Sequence, residues 1–163
     1  MNTADFLSES ERFVASFDLG GLRRPPAKRL AIVTCMDARI HPIAALGLQL
    51  GDANVLRNAG AVVTQDVIRS LVVSNLLLGT RNAVVIGHTD CGMVDFDNET
   101  IRGRLASERG VDADALDFYP FADVARTVAD GVRKLRESPL LDFDEVRGLL
   151  YDVDTGRLEP VEA

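Results

Sequence analysis

The chain has 163 residues, 47% of them hydrophobic, and a formal net charge of −7. That length suits one domain, residues 1–163, with a substantial core, and the acidic balance argues against a nucleic-acid partner, which needs a basic surface. No apolar run reaches the roughly 20 residues of a membrane helix, and the opening stretch MNTADFLSESERF lacks the basic region and apolar core of a signal peptide, so a soluble cytoplasmic protein is expected.

From Thr3 to Phe17, apolar Phe6, Leu7, Phe13, Val14 and Phe17 are spaced among charged residues, which predicts a helical arm at about 3–17 with Asp5 near its start. The segment DLGGLRRPP breaks it, and the basic RRPPAKR reads as a solvated linker. The arm has no obvious partner within the sequence and suits a place across its own domain or across another subunit. RLAIVTC is apolar and β-branched on both faces, the pattern of a central strand buried on both sides. A short helical segment follows from His41 to Leu48, and ANVLRNAGA reads as a second strand running into a glycine loop. The longest clean helix spans about Thr64 to Leu78, with Val67, Leu71, Ser74 and Leu78 on one face and Ile68, Val72 and Leu76 broadening it. NAVVIGH is the third strand, and helices are predicted over Phe96–Glu108 and Ala122–Glu137. EVRGLLYDV is the fourth strand, and YDVDTGRLEPV turns at Asp154 and Gly156 into a final one. Strands alternating with helices predict an α/β fold with a mostly parallel central sheet flanked by helices. Sites in such folds lie outside the C-terminal ends of the strands.

Two of those strand ends carry unusual turns. AIVTCMDARIHP brings Cys35, Asp37 and Arg39 to the end of the first strand, and VVIGHTDCGM brings His88 and Cys91 to the end of the third. With only two cysteines, a disulfide scaffold is excluded. Cys35, His88 and Cys91 offer two thiolates and an imidazole, a donor set that suits zinc rather than magnesium or calcium and leaves a fourth position open. Asp37, two residues beyond Cys35 on an extended chain, points the same way. It either fills that fourth position or accepts a hydrogen bond from a metal-bound water. Arg39, with the same parity again, would draw the carboxylate off the metal through a bidentate fork. Taken singly, each residue has a plainer reading: cysteine is a common core residue, histidine a satisfied strand end, and Asp37–Arg39 a surface ion pair. A Cys35–Cys91 disulfide or a closed structural zinc site are the chemical competitors. Gly87 and Gly92 read as turn residues, and Gly60 either as a simple turn or as a close approach of main chain to the site.

In combination the motifs C-x-D-x-R (CMDAR) and H-x-x-C-G (HTDCG), with RNAGA between them, resemble the β-class carbonic anhydrases over about Leu30 to Met93. The resemblance implies Cys35, His88 and Cys91 as ligands of one Zn²⁺ per chain. Asp37 would be the exchangeable fourth ligand and Arg39 its dyad partner. It implies a four-stranded parallel sheet ordered 2-1-3-4 with an additional edge strand, and a homodimer or higher homo-oligomer on which the N-terminal arm packs. The implied reaction is reversible hydration of carbon dioxide to bicarbonate and a proton by a zinc-activated hydroxide. Members of the family with the same zinc shell act on carbon disulfide or related heteroallenes, and a non-enzymatic zinc-stabilised or thiol-redox interaction domain is the remaining alternative. His41 is weighed between a proton shuttle and a helix start, and Gln65 and Asp66 between pocket lining and a helix N-terminal polar pair.

Overall fold

The computed structural model describes residues 2–163, so residue 1 of the expected domain lies outside them. The helical arm is α1, Thr3–Val14, opened by a capping box in which Asn2 and Asp5 satisfy each other's backbone N–H groups. It ends one turn before Phe17, and none of its residues is buried. Five strands follow: β1 Leu30–Cys35, β2 Ala53–Asn58, β3 Asn82–His88, β4 Glu145–Tyr151 and β5 Leu158–Val161. They form one sheet in the order β2-β1-β3-β4-β5, with the first four parallel and β5 antiparallel at the edge. The fold is therefore the expected α/β arrangement of a parallel core with an added edge strand.

The apolar runs explain the layering. In β1, Ala31 and Val33 face one side while Ile32 faces the other, and all three are buried. The first side meets α3, Gln65–Leu78, and α5, Val124–Arg136, through Val67, Ile68, Leu71, Val128, Val132 and Leu135. The second side is covered by the short α2, Pro42–Ala45, the turn after it and β5. Because β1 and β3 pair in parallel, their C-terminal ends lie side by side.

Three details depart from the sequence reading. The buried stripe of α3 is Val67, Ile68, Leu71, Ser74 and Asn75, which leaves Leu76 71% exposed rather than packed. Asn75 takes the place because its amide has partners there: Nδ2 donates to the carbonyls of Thr80 and Asp142 at 2.7 and 3.0 Å. The helix predicted over 96–108 forms as α4, Asn98–Arg109, capped by Asp97, and buries no side chain. Gly87 does not relax a turn, since its place is inside β3. A Cβ there would stand 2.6 Å from methyl groups of Val124 and Val128, so glycine lets α5 lie close on the sheet.

Candidate metal centre

The site is built from the ends of β1 and β3. Cys35 is the last residue of β1 and His88 the last of β3, and Cys91 follows in the turn that leads into a 3-10 segment at Gly92–Val94. Their Sγ and imidazole nitrogen atoms lie within 4.8 Å of one another, and all three side chains are buried. Both cysteines are free thiols. Ile40 and Met93, with Phe96, Phe121, Val124 and Tyr151, form an apolar wall around them.

Each donor is oriented by a second contact. His88 Nδ1 lies 2.8 Å from the Thr89 carbonyl, which accepts only from an N–H, so that nitrogen carries the proton and Nε2 is left with a lone pair. His88 is 1% exposed, and Nε2 has no hydrogen-bond partner in the protein. A buried acceptor without a partner is costly, and here it is aimed at two sulfurs, the arrangement a metal ligand requires. Cys35 Sγ accepts the Gly60 N–H at 3.3 Å. Gly60 has φ 78°, and a Cβ on it would come within 2.5 Å of the Phe121 ring, so only glycine brings this N–H to the sulfur. Of the two readings of Gly60, the close approach of main chain to the site is the one observed.

Burial works to raise the Cys35 pKa, but the neighbouring His88 imidazole and the N–H groups of Asp37 and Gly60 outweigh it and bring the thiol down to about 7. Burial likewise works to lower His88, and the nearby Cys35 sulfur, the Thr89 carbonyl and the Asp37 carboxylate more than reverse it. Both shifts share one cause, the closeness of sulfur and imidazole, each of which favours the charged form of the other, and a cation placed between them would compete with protons for both. Cys91 is pushed up, chiefly by burial. With one oriented imidazole and two sulfurs converging, the donor set fits a soft, four-coordinate divalent ion.

Asp37 stands at the rim, with Oδ2 3.8 Å from His88 Nε2. The structure brings Arg39 to it, but not by strand parity. The chain turns at Ala38 and Arg39, closed by the Ile40 N–H on the Asp37 carbonyl. Inside that turn the Arg39 backbone N–H donates to Asp37 Oδ1 at 2.8 Å, while Nε and Nη2 grip Oδ1 and Oδ2 at 3.0 and 2.8 Å. These bonds hold the Asp37 carboxyl well below the usual carboxylate range. The carboxylate is thus on arginine, outside the three-donor group.

Two arginine contacts had no place in the sequence reading. Arg57 on β2 donates to the carbonyls of Cys35 and Asp37 at 3.0 and 2.6 Å, which pins the turn after β1. Arg39 also reaches Asp90. The only signals available for either were charged residues inside RNAGA and HTDCG. His41 caps α2, with Nδ1 accepting the Ala44 N–H at 3.2 Å, which is the helix-start reading. Gln65 and Asp66 are exposed at the start of α3, and Asp66 pairs with Arg69 at 2.8 Å. No described helix is long and apolar enough to cross a membrane.

Comparison with known proteins gives the site a context. The carbonic anhydrase family model matches residues 30–112. β-Carbonic anhydrase 1 of Mycobacterium tuberculosis is 40% identical over 161 residues, covering 98% of this chain and 97% of that protein. The crystal structure of a carbonic anhydrase from Streptococcus mutans superposes with a TM-score of 0.93 at 45% identity, covering 99% of both chains. A carbon disulfide hydrolase of Acidithiobacillus thiooxidans is 34% identical over 157 residues, covering 83% of this chain and 78% of that one.

Proposed function

Because the chain belongs to the β-carbonic anhydrase family, we propose that Cys35, His88 and Cys91 hold one zinc ion and that the enzyme converts carbon dioxide and water reversibly to bicarbonate and a proton. The observation that carries this is the buried Nε2 of His88, unpartnered in the protein and facing two free thiols, with the forked Asp37–Arg39 pair at its rim. Bound there, zinc would supply Lewis acidity that brings the pKa of a water from about 16 toward neutrality.

The chain's own groups account for the rest. Gly60 and Thr89 hold a sulfur and the imidazole in orientation. Asp37, kept ionised by Arg39, accepts a hydrogen bond from the water that adds to carbon dioxide, which turns a lone pair toward the carbon. Arg39 holds the carboxylate in this role and away from the metal position. The wall of Ile40, Met93, Phe96 and Phe121 receives a small apolar substrate and excludes bulk water. The released proton passes to buffer.

Zinc analysis combined with stopped-flow hydration tests this directly. Asp37→Asn is expected to keep about one zinc per chain and to lose about a hundredfold in kcat/KM. Full turnover in that variant would overturn the role given to Asp37.

A heteroallene hydrolase on the same donors is the second reading, supported by the likeness to carbon disulfide hydrolases. The carbon dioxide reading is preferred because identity of 40% or more to carbonic anhydrases extends over nearly the whole chain. A non-enzymatic interaction domain has no such support. We read the chain as one domain with α1 as an arm. The exposed Phe6, Leu7 and Phe13 on α1, and Leu76 and Leu77 on α3, support a homodimer or a larger homo-oligomer. Reduced metal-binding thiols favour a cytoplasmic location, and no nucleic-acid or membrane partner is proposed.

A further inference from the structure

Of the four side-chain hydrogen bonds made by Arg39, two go to Asp37. Nη1 donates to Asp90 Oδ2 at 2.7 Å, and Nη2 donates to the Asp90 carbonyl at 2.9 Å. Asp90 lies between His88 and Cys91 in the turn after β3, with φ 51°. That left-handed backbone is adopted readily by glycine and, among other residues, chiefly by asparagine and aspartate. Here the carbonyl and the carboxylate of one residue both meet the same guanidinium. Arg39 therefore ties the turn that follows Cys35 to the turn that follows His88 and carries Cys91.

We infer that Asp90 is a positioning residue: by holding Arg39 from the far side, it keeps the guanidinium fork on Asp37 and the Asp37 carboxylate off the metal position. The inference rests on the roles given above to Asp37 and Arg39. The geometry explains why a second anchor is needed. Asp37 Oδ2 is 3.8 Å from His88 Nε2, so a small rotation of the carboxylate would bring it onto a cation held by that nitrogen. What opposes the rotation is the fork, and an arginine side chain that is 44% exposed has much rotamer freedom to lose in holding one. Asp90 takes up Nη1 and shares Nη2, so part of that freedom is already restricted where the fork meets Asp37. Without it, the fork competes less well with the metal for the carboxylate.

The test uses the zinc-loaded full chain and two readouts, kcat/KM for carbon dioxide hydration and the rate of zinc release to a chelator. Asp90→Ala is expected to lower kcat/KM by about twofold to fivefold, the scale of a charge-assisted contact made by a carboxylate that is 79% exposed. It is also expected to slow zinc release, because Asp37 then serves as a fourth protein ligand. Asp90→Gly relaxes the backbone and removes the same carboxylate, so an equal effect assigns the loss to the side chain. Asp90→Asn keeps an acceptor and tolerates the positive φ, and should retain most activity. In the Asp37→Asn background, Asp90→Ala should change neither readout.

Faster zinc release in Asp90→Ala, or an equal fall in activity in the Asp37→Asn background, would mean that Asp90 merely supports the turn, and the inference would be wrong. Loss of activity in Asp37→Asn beside an unchanged Asp90→Ala would overturn the role of Asp90 alone. Full turnover in Asp37→Asn would overturn the reading of Asp37 and this one with it.

Discussion

Each end of the sheet carries an arginine between two aspartates. At the C-terminal end of the strands Arg39 bridges Asp37 and Asp90, and at the N-terminal end Arg81, just before β3, bridges Asp142 and Asp144. The two ends differ in what lies beneath. Under Arg81 the buried polar groups are paired: Asn75 donates to the carbonyls of Thr80 and Asp142 and accepts the Asp142 N–H, and Ser74 shares a hydrogen bond with Thr80 at 3.0 Å. Under Arg39 lie two free thiols and an imidazole nitrogen without a partner. Among the described residues the buried side-chain atoms without a hydrogen bond are Asn58 Oδ1 and His88 Nε2, both at the C-terminal ends of strands. A polar network that is complete serves the fold, whereas one left open at buried, strong donors to a metal serves a ligand.

The sharpest way to break this comparison is to remove a donor. His88→Ala is expected to reduce bound zinc from about one per chain to near zero and hydration to background, since a site with three protein ligands rarely survives the loss of one. In the metal-free protein the same substitution should cost little stability for so buried a side chain. It deletes an acceptor that was itself unpaired, which offsets part of the cavity left behind. Metal analysis and chemical denaturation of the zinc-free forms read the two parts separately. A variant that still binds zinc stoichiometrically would refute the assignment of the centre.

The opposite end should respond the other way. Asn75→Leu fills a similar volume but strands the Thr80 and Asp142 carbonyls and the Asp142 N–H. Leaving such groups unsatisfied is expected to cost about 2–3 kcal/mol, a fall of roughly 5–10 °C in Tm for a chain of this size. The variant should nevertheless keep its zinc and, while folded, its kcat/KM. If activity fell in proportion to stability, the two ends would be coupled and the contrast drawn between them would fail.

How far each end could be read from the amino acids follows from the physics of each. Buried parallel strands are continuous β-branched runs, so RLAIVTC and NAVVIGH announced β1 and β3, and their polar last residues announced the centre. Parity placed Asp37 on the side of Cys35, and the structure sets its carboxylate near the His88 imidazole. Parity was the wrong reason for Arg39, which arrives through a turn closed by backbone hydrogen bonds, and a turn has no period to read. Asp90 was invisible because its partner lies 51 residues away in sequence. Asn75 was missed for the same reason: a buried amide looks like an interruption of an apolar stripe until the loop that satisfies it, from 67 residues further on, is in place. Leu76 was then assigned to the core by simple breadth, while the structure turns it outward.

The smallest expected effect concerns pH, and it separates the two arginine bridges by exposure. The Arg81 guanidinium holds the Asp144 carboxyl below its ordinary value. A carboxylate depressed in the folded state contributes stability that is complete above its unfolded pKa of about 4 and is lost as pH falls through the folded value. The Asp144 side chain is 60% exposed, so solvent and salt screen the pair and its contribution is small. Arg81→Gln should therefore lower Tm slightly near neutrality, and the difference from the parent should shrink as pH falls below about 4. Loss of zinc at low pH affects both proteins alike and cancels in the difference. Added salt near neutrality should shrink the same difference. A gap that stayed constant from neutral to acid pH would show that Arg81 acts by packing its stem rather than by charge, and the resemblance between the two bridges would then be one of shape alone.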